Sequence, residues 1–271
     1  MEIIKKILDL NKAINSINNL GYVPTMGGLH DGHISLIKNS QKKCKKTIVS
    51  IFVNPTQFNN KDDFKKYPRN LNRDISILKK LDVNFLFLPK FDEIYKKKRN
   101  KKIKLNKNDN ILCAFYRKGH FEGVLDIMDR LLNIIKAKYV FMGEKDYQQL
   151  FLIKKKFKKK YNSKIIGCPT IRERNKLALS SRNFLLSKKN YLKAGLIAEY
   201  LLKFKYLYKR NYKRNHIILN KTMKELENKY KIKIEYLEFR NLKDLKLADF
   251  KKKFRLFLAY YINNVRLVDN F

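Results

Sequence analysis

The stretch from Val23 to His33 reads VPTMGGLHDGH and combines glycines with two histidines. It follows an apolar run that predicts a strand, and it leads into a helical pattern. Glycines let a backbone approach a ligand closely, and a helix N-terminus offers free N–H groups and a positive dipole end that suit a phosphate. His30 and His33 are three residues apart, so they share one side of the first helical turn. We interpret this turn as a phosphate-binding site with two imidazole donors.

Two other roles remain open for these histidines. Either ring could be a structural histidine, and the pair could hold a metal, although no third cluster of ligands accompanies it. The sequence contains neither G-x-x-x-x-G-K-[ST] nor G-x-G-x-x-G, and it lacks H-E-x-x-H. These absences exclude a P-loop NTPase and an obvious dehydrogenase.

Other polar side chains follow predicted strands or lie in loops. Gln57 has an amide that can bond a hydroxyl or carboxylate of a small acid, although a loop-capping amide explains it equally well. Lys145 suits a polyphosphate, and Asp146 can accept from ribose hydroxyls or orient Mg²⁺, although a solvated charged turn explains both. Gln149 shares the face of Lys145 one turn later. Ser180–Arg182 gathers two hydroxyls and a guanidinium, which either bind a phosphate or belong to an ordinary loop.

The composition indicates a folded protein with a large excess of positive charge. Among 271 residues, hydrophobic types make up 44% and aromatics 13%, which is enough for a sizeable core. Three well-separated cysteines fit neither a disulfide framework nor a zinc knuckle. No apolar run reaches the ~18–20 residues of a membrane span, and the first residues lack a signal-peptide pattern. We therefore expect a cytoplasmic protein with no membrane partner.

The positive charge has two interpretations. Lys and Arg number 63 against 24 Asp and Glu, which gives a net charge of +39, and such a charge is the electrostatic footprint of a nucleic-acid binder. However, the lysine-rich tracts at 96–102 and 154–161 belong to no known binding module, and basic residues run through every segment. Lysines on solvent-facing surfaces explain the same composition. We expect no specific nucleic-acid partner and only a general attraction of anionic substrates.

Apolar runs alternate with helical spacings in the first part of the chain. Buried strands are predicted at 21–24, 47–53, 83–88, 139–142 and 164–168, and helices from Asp9 to Leu20, over 33–43, from Asn70 to Leu81 and over 124–135. This alternation predicts a parallel sheet covered on both faces. Residues 1–170 are therefore predicted to form an α/β, Rossmann-like domain.

The pattern changes after a junction near Pro169. A helix is predicted from Ser187 through Lys209, a second helix over 215–230, and strands at 232–240, 254–261 and 265–268. Residues 171–271 are therefore predicted to form a small α+β domain.

Several segments, taken in chain order, resemble the motifs of the pantoate–β-alanine ligase family, the pantothenate synthetases. They are PTMGGLHDGH at 24–33, FVNPTQF at 52–58, YPR at 67–69 followed by Asp74, RKGHFEGV at 117–124, GEKDYQQL at 143–150, LALSSRN at 177–183 and RLVDN at 266–270. The resemblance spans essentially the whole chain. The family belongs to the nucleotidyltransferases with an H-x-G-H motif, which are related in fold to class I aminoacyl-tRNA synthetases.

The resemblance implies an enzyme that uses ATP and Mg²⁺ to join (R)-pantoate to β-alanine through pantoyl adenylate, releasing AMP and pyrophosphate. It implies catalytic roles for His30, His33, Lys145 and Arg182. The implied ATP-binding residues are Met26, Gly27, Gly28, Leu29, His30, Asp31, Gly32, His33, Gly143, Glu144, Lys145, Asp146, Ile171, Leu179, Ser180, Ser181 and Arg182. The implied pantoate- and β-alanine-binding residues are Met26, Asn54, Gln57, Tyr67, Arg117, His120 and Gln149. Asp74 would bind Mg²⁺ with ATP, the second domain would cover the site, and the protein would be a homodimer.

The chain departs from the family pattern in a few places. Lys118 stands where the family has Pro, Cys113–Tyr116 lacks a Glu-Gly pair, and Asn175–Lys176 replaces Asp-Gly. One alternative is a nucleotidyltransferase or synthetase-like protein that acts with nucleic acid and shares the H-x-G-H motif. Another is a non-catalytic binding protein. The FVNPxQF and GEKDxQQL motifs argue against the first, and the presence of His33 and Lys145 argues against the second.

Overall fold

The computed structural model describes residues 1–96, 103–208, 215–249 and 252–271. Its backbone divides into two compact units, Met1–Pro169 and Thr170–Phe271. Residues 97–102 of the lysine-rich tract lie outside the described residues. So does Lys209, the predicted end of a helix. Within the part of the chain that is described, no helix is both long and apolar enough to cross a bilayer.

A six-stranded sheet with parallel pairing throughout forms the centre of the first unit. Its strands are β1 (Glu2–Ile4), β2 (Leu20–Thr25), β3 (Lys46–Ile51), β4 (Phe85–Phe87), β5 (Tyr139–Gly143) and β6 (Lys164–Cys168). Their spatial order is β1-β4-β3-β2-β5-β6, so the strand order reverses between β2 and β5. This arrangement confirms the predicted Rossmann-like α/β fold class.

Helices cover both faces of this sheet. The helices described in this unit are α1 (Ile7–Ile14), α2 (Asp31–Lys43), α3 (Lys61–Lys66), α4 (Leu71–Lys80), α5 (Phe91–Tyr95), α6 (Cys113–Tyr116), α7 (His120–Ile135) and α8 (Tyr147–Phe157), of which α3 buries no residue. Successive strand residues point to opposite faces. Tyr22 and Val140 pack with α1, α7 and α8, whereas Val23 and Phe141 pack with α2 and α4. Because both faces are buried, the strands read as continuous apolar runs.

The first residues of the chain differ from the prediction. A helix forms in the expected segment, but the bounds Asp9–Leu20 and the cap at Asp9 are wrong, because α1 begins after Lys6 and ends at Ile14, with Asp9 inside its first turn. Leu20 instead begins β2, where it pairs in parallel with Lys46. The sequence does not predict β1, since this three-residue strand pairs with the distant β4. The short helices α3, α5 and α6 are also unpredicted.

The second unit packs helices on a three-stranded antiparallel sheet. Its elements are α9 (Lys188–Tyr208), α10 (Asn215–Tyr230), β7 (Lys233–Asn241), β8 (Phe254–Ile262) and β9 (Val265–Asn270), with the strands in the order β7-β8-β9. Leu201 of α9, Leu226 of α10 and Leu258 of β8 share one buried core. The predicted small α+β arrangement is confirmed.

An ion pair holds the segment that precedes α9. Arg172 contacts the Asp269 carboxylate of β9 with both terminal nitrogens, at 2.8 and 2.9 Å. The same guanidinium donates to the backbone carbonyls of Lys176 and Asn270, and Arg172 pairs with Ala178 through a β-bridge. This segment is therefore a tight hairpin tied to the last strand.

We expect Lys176→Gly to stabilise the protein. Lys176 has a φ of +72° at a position where the family pattern has glycine, and a residue with a Cβ is strained in this left-handed region. Urea denaturation should show a free energy of unfolding that is higher by about 1 kcal/mol. The matched control Lys176→Ala removes the same charge but keeps the Cβ, so it should change stability by less than about 0.5 kcal/mol. An equal gain from both variants would show that the backbone is not the cause.

Candidate active site

The reversal in strand order brings two loops together. β2 and β5 are neighbours in the sheet, with Gly21 beside Tyr139 and Tyr22 beside Val140. Parallel strands end at the same edge, and open α/β sheets bind ligands in the crevice where the strand order reverses. The histidine turn follows β2, and the turn Glu144–Asp146 follows β5. Two of the predicted phosphate-binding segments therefore follow adjacent strand ends.

His30 and His33 cap α2 with their own side chains. Nδ1 of His30 accepts the N–H of Gly32 at 3.1 Å, and Nδ1 of His33 accepts the N–H of His30 at 3.3 Å, which forms a reciprocal capping box. Because a backbone N–H can only donate, neither Nδ1 carries a proton, and the proton of each neutral ring is on Nε2. The ring centroids are 4.1 Å apart. The cap therefore gives the site two Nε2–H donors.

Both imidazoles are held in the neutral form. The pKa of His30 is lowered from its ordinary value of 6.5 to about 3, mainly by burial and in smaller part by His33 and the charge of Lys145, while Asp146 opposes the shift. Burial also lowers the pKa of His33 to about 4, again with opposed effects of Asp146 and Lys145. At neutral pH the pair is therefore an uncharged source of hydrogen bonds.

Lys145 supplies the positive charge beyond the end of β5. Its Nζ is 2.9 Å from Oδ1 of Asp146, and its side chain is 15% exposed whereas that of Asp146 is 51% exposed. Both charges act on both imidazoles, so these four side chains form one electrostatic cluster. This cluster presents two N–H donors, an ammonium and a more exposed carboxylate, which suits a phosphate that carries a divalent cation.

The glycine-rich loop uses backbone amides inside the protein. Gly27 and Gly28 have φ values of +80° and +62°, and such left-handed turns aim successive N–H groups at one anion. Gly28 and Leu29 donate to the two carboxylate oxygens of Asp74 at 2.9 and 2.8 Å, and Asp74 is 1% exposed. A Cβ on Gly27 would lie 3.0 Å from Oδ2 of Asp74. The anion that this turn binds is therefore the Asp74 carboxylate of the protein itself.

A second polar group follows β3 and contacts the residue before the glycines. Gln57 is buried, and its Nε2 donates to Sδ of Met26 at 2.8 Å. Asn54 is also buried, and its amide donates to the carbonyl of Gly123 at 3.2 Å and accepts from the Tyr95 hydroxyl at 2.9 Å. Two predicted pantoate-binding residues, Met26 and Gln57, thus touch each other, whereas Asn54 shapes their loop.

His120 and Arg117 hold this loop from the start of α7. A carbonyl can only accept, so Nδ1 of His120 carries the proton that it donates to the backbone carbonyl of Gln57 at 2.7 Å. Nε2 of His120 then accepts from Nη1 of Arg117 at 3.1 Å. A Cβ on Gly123 would lie 2.4 Å from the carbonyl oxygen of Thr56, which shows how closely α7 packs on the loop. Arg117, His120 and Gln57 form one connected network.

The other predicted residues of the first unit lie in the same loops or in the adjoining first helical turns. Tyr67 is buried and packs edge-on against Phe58, with ring centroids 5.7 Å apart. Gln149 is half-buried in the first turn of α8, Asp31 is exposed in the first turn of α2, and Glu144 is half-buried between β5 and α8. Tyr67 therefore has a packing role, and its substrate-binding role stays a prediction.

The predicted ATP-binding residues of the second unit form one compact group. The N–H of Leu179 donates to the carbonyl of Ile171 at 3.0 Å. The hydroxyl of Ser180 accepts the N–H of Arg182 at 3.3 Å and begins a 3₁₀ turn, and Ser181 is buried. The hairpin tied to β9 leads directly into these residues and positions them.

Two supporting residues are missing from the sequence-based prediction. Nη1 of Arg73 donates to the carbonyl of Leu29 at 3.2 Å. The hydroxyl of Thr25 accepts the N–H of Gly27 at 3.3 Å and donates to the carbonyl of Ser50 at 2.8 Å. An arginine in a helix and a threonine at a strand end are common, so the sequence carries no distinct signal for either role.

The lowered histidine pKa values predict how stability depends on pH. Because the folded-state values lie below the ordinary 6.5, the folded protein binds fewer protons than the unfolded chain. This contribution to stability is complete above pH 6.5 and is lost as the pH falls from there through the folded-state values. We expect the pair to lower the free energy of unfolding of the ligand-free protein by about 2 kcal/mol or more between pH 7 and pH 4.5.

Urea denaturation of a double variant isolates this effect. His30→Asn with His33→Gln keeps an acceptor at both cap positions but removes both titrating rings. The double variant should lose less stability than the wild type over the same pH range. An identical pH dependence would show that the histidines are not responsible.

Comparison with known proteins gives one consistent result. The Pantoate-beta-alanine ligase family profile matches residues 2–271. Pantothenate synthetases from Pseudothermotoga lettingae and Francisella tularensis subsp. novicida are 36% and 41% identical, and the alignments cover 100% and 99% of this chain and 98% and 95% of theirs. A crystal structure of the pantoate–β-alanine ligase from Francisella tularensis, complexed with beta-gamma ATP and β-alanine, has a TM-score of 0.85 at 40% identity and covers 100% of this chain and 97% of that chain. Pantothenate synthetase from Thermus thermophilus has a TM-score of 0.88 at 28% identity, with 100% and 99% coverage. The chain belongs to the pantoate–β-alanine ligase family.

Proposed function

We propose that this chain catalyses the ATP-dependent ligation of (R)-pantoate and β-alanine to pantothenate, and that the residues at the ends of β2, β3 and β5 carry out the reaction. The observation that carries this proposal is the electrostatic cluster of His30, His33 and Lys145 at two adjacent strand ends. The Met26–Gln57 contact brings the predicted small-acid group to the same loop. Family membership supports the reaction, and this geometry supports the assignment of residues to its two steps.

The first step activates the pantoate carboxylate. A carboxylate oxygen attacks the α-phosphorus of ATP, the bond to the β-phosphate breaks, and pyrophosphate leaves. Negative charge grows on the phosphate oxygens, and donors already in place stabilise such charge without reorganising. The Nε2–H groups of His30 and His33 and the ammonium of Lys145 are such donors. Because both rings are neutral, the positive charge of this cluster comes from Lys145.

Mg²⁺ is expected to accompany ATP, since it neutralises charge on the phosphates. Mg²⁺ is usually bound by one or two carboxylates together with substrate phosphates, and the more exposed Asp146 carboxylate within the cluster fits this pattern. Both oxygens of Asp74, the other candidate, already accept backbone N–H groups. Within the described ranges, no group of three acidic, histidine or cysteine side chains could hold a metal ion by itself. The described residues thus fit an Mg²⁺ ion that binds together with ATP, with Asp146 as its carboxylate ligand.

The second step forms the amide. The β-alanine amine attacks the acyl carbon of pantoyl adenylate, the C–O bond to AMP breaks, and the amine loses a proton. The side-chain amides of Gln57 and Gln149 hold pantoate, and Met26 packs against its gem-dimethyl group. The Gln57–Met26 hydrogen bond supports this assignment. Arg117 and His120 support Gln57 through its backbone carbonyl.

The second unit contributes Ser180, Ser181 and Arg182 to ATP binding. The support for this role is the resemblance of the LALSSRN segment to the family motif, together with the compact local geometry of the turn. The covering role of this unit stays a prediction. The same resemblance supports a homodimer, and the free cysteines of the described chain agree with a reducing cytoplasm.

An assay of AMP formation tests the overall function. AMP should appear only when ATP, pantoate and β-alanine are all present, and nucleic acid should not stimulate it. AMP formation that needs nucleic acid, or that ignores pantoate, would support the alternative function of a nucleic-acid-dependent nucleotidyltransferase.

We expect His33→Ala to impair the two steps unequally. Loss of a donor to developing phosphate charge typically lowers kcat by roughly 10²–10³, so pantoate-dependent pyrophosphate release should fall by about that factor. The reaction of β-alanine with supplied pantoyl adenylate should fall much less, because it involves no triphosphate.

The matched variant is His33→Gln, which keeps a cap acceptor and a side-chain N–H donor. It should lose less activity than His33→Ala in the first step. If His33→Ala slows both steps equally, the phosphate-donor role of His33 is wrong, and the ring is a structural cap or a shared acid–base group.

A further inference from the structure

Two residues near the start of α4 form hydrogen bonds with the glycine loop, the glycine-rich turn at Gly27–Leu29. Asp74 is 1% exposed, and its two oxygens accept the N–H groups of Gly28 and Leu29 at 2.9 and 2.8 Å. The neighbouring Arg73 donates to the carbonyl of Leu29 at 3.2 Å. Three hydrogen bonds thus join two adjacent residues of α4 to two adjacent residues of the loop. Both α4 residues are 44 to 46 positions away in sequence.

This contact determines where α2 begins. Leu29 is followed directly by His30, the capping residue of α2, so the orientation of the Leu29 peptide sets the direction from which the His30 ring enters the site. The ring of His33 in turn accepts the N–H of His30. A shift of the loop would therefore move both Nε2–H donors, and catalytic geometry is sensitive to displacements of about 1 Å.

The same contact argues against a metal-binding role for Asp74. Each carboxylate oxygen already has a backbone donor, and these N–H groups occupy the side of the carboxylate that faces the loop. The close approach of Gly27, whose Cβ would lie 3.0 Å from Oδ2, leaves little space beside that oxygen. A buried carboxylate bonded in this way stabilises the left-handed turn at Gly27 and Gly28, because the successive N–H groups of Gly28 and Leu29 form an anion-binding concavity around it.

We propose that Asp74, together with Arg73, is a positioning residue for ATP activation: it holds the Gly28–Leu29 backbone so that His30 and His33 are aimed at the phosphates, and it does not bind Mg²⁺. This inference deepens the proposed function and rests on it. Asp74 acts on the reaction only through the loop.

The test is Asp74→Asn, measured in each half-reaction. Asn keeps the size of the side chain, but its amide nitrogen cannot accept the second N–H, so one hydrogen bond is lost and the other is no longer charge-assisted. We expect kcat for pantoate-dependent pyrophosphate release to fall by about tenfold to a hundredfold. The reaction of β-alanine with supplied pantoyl adenylate should change by less than about threefold, and the Mg²⁺ concentration for half-maximal rate should not change.

Two further variants make the result decisive. Asp129→Asn is the matched control, because Asp129 is also a buried helical aspartate, but it bonds Lys160 and Tyr161 instead of the loop. It should lower thermal stability without separating the half-reactions. Arg73→Lys keeps the positive charge but removes the guanidinium bond to Leu29, and it should give the same separation with a smaller loss. This variant keeps the test valid if Asp74→Asn does not fold.

Each contrary result overturns the proposal. A rise in the Mg²⁺ requirement of Asp74→Asn would make Asp74 a metal ligand, equal losses in both half-reactions would make it a general structural residue, and full activity would show that the loop holds its shape unaided. These outcomes are distinct from failure of the proposed function. That failure would appear in the wild type, as AMP formation that does not require pantoate and β-alanine.

Discussion

The parallel pairing of β2 with β5 is the constraint on which the site depends. The strand order reverses there, and right-handed crossover connections then place α2 on one face of the sheet and α8 on the other, as the separate cores show. The loops that open these helices diverge from neighbouring strand ends and leave a crevice between them. The histidine turn follows β2 and Lys145 follows β5, so adjacent strand ends bring them together although they are more than a hundred residues apart in the sequence.

The chemistry of the crevice follows from hydrogen bonds to the backbone. The α2 cap uses both Nδ1 atoms as acceptors, which leaves the ring protons on Nε2, and burial keeps both rings neutral. The donors therefore have a fixed tautomer before any substrate arrives. Such preorganisation is effective because the enzyme does not have to reorient dipoles while charge develops. The hydrogen bonds that cap α2 therefore also leave the Nε2–H groups of His30 and His33 as donors for the site.

Several residues of the recognised motifs serve as supports. Asn54 bonds Gly123 and Tyr95, His120 bonds the carbonyl of Gln57, and Asp74 bonds the glycine loop. Each is buried, and each uses its side chain to fix a backbone segment. These motifs thus include residues that hold the loop shape as well as residues suited to contact substrate.

The sequence by itself determined the main elements and the candidate chemistry. Apolar runs bounded by glycine and polar residues predicted strands β2 to β6, because strands buried on both faces must be apolar along their whole length. The glycine and histidine types in the turn after β2 indicated phosphate binding, and the motif order indicated the family. Where local spacing was ambiguous the prediction failed, as for Leu20, which continues a helical pattern but begins a strand.

Only the tertiary structure decided which polar atoms point inward. The sequence does not show that the Gly28 and Leu29 amides are bonded to Asp74, or that Arg73 binds the same peptide, because these partners lie 44 to 46 residues away. The same holds for the pairing of β1 with β4 and for the Arg172–Asp269 ion pair, which spans 97 residues. Residue type and local spacing report the conformations that a segment can adopt. Which donor bonds to which acceptor depends on which distant segments of the chain lie next to each other in the fold. That is set by the packing of the whole sheet and its helices.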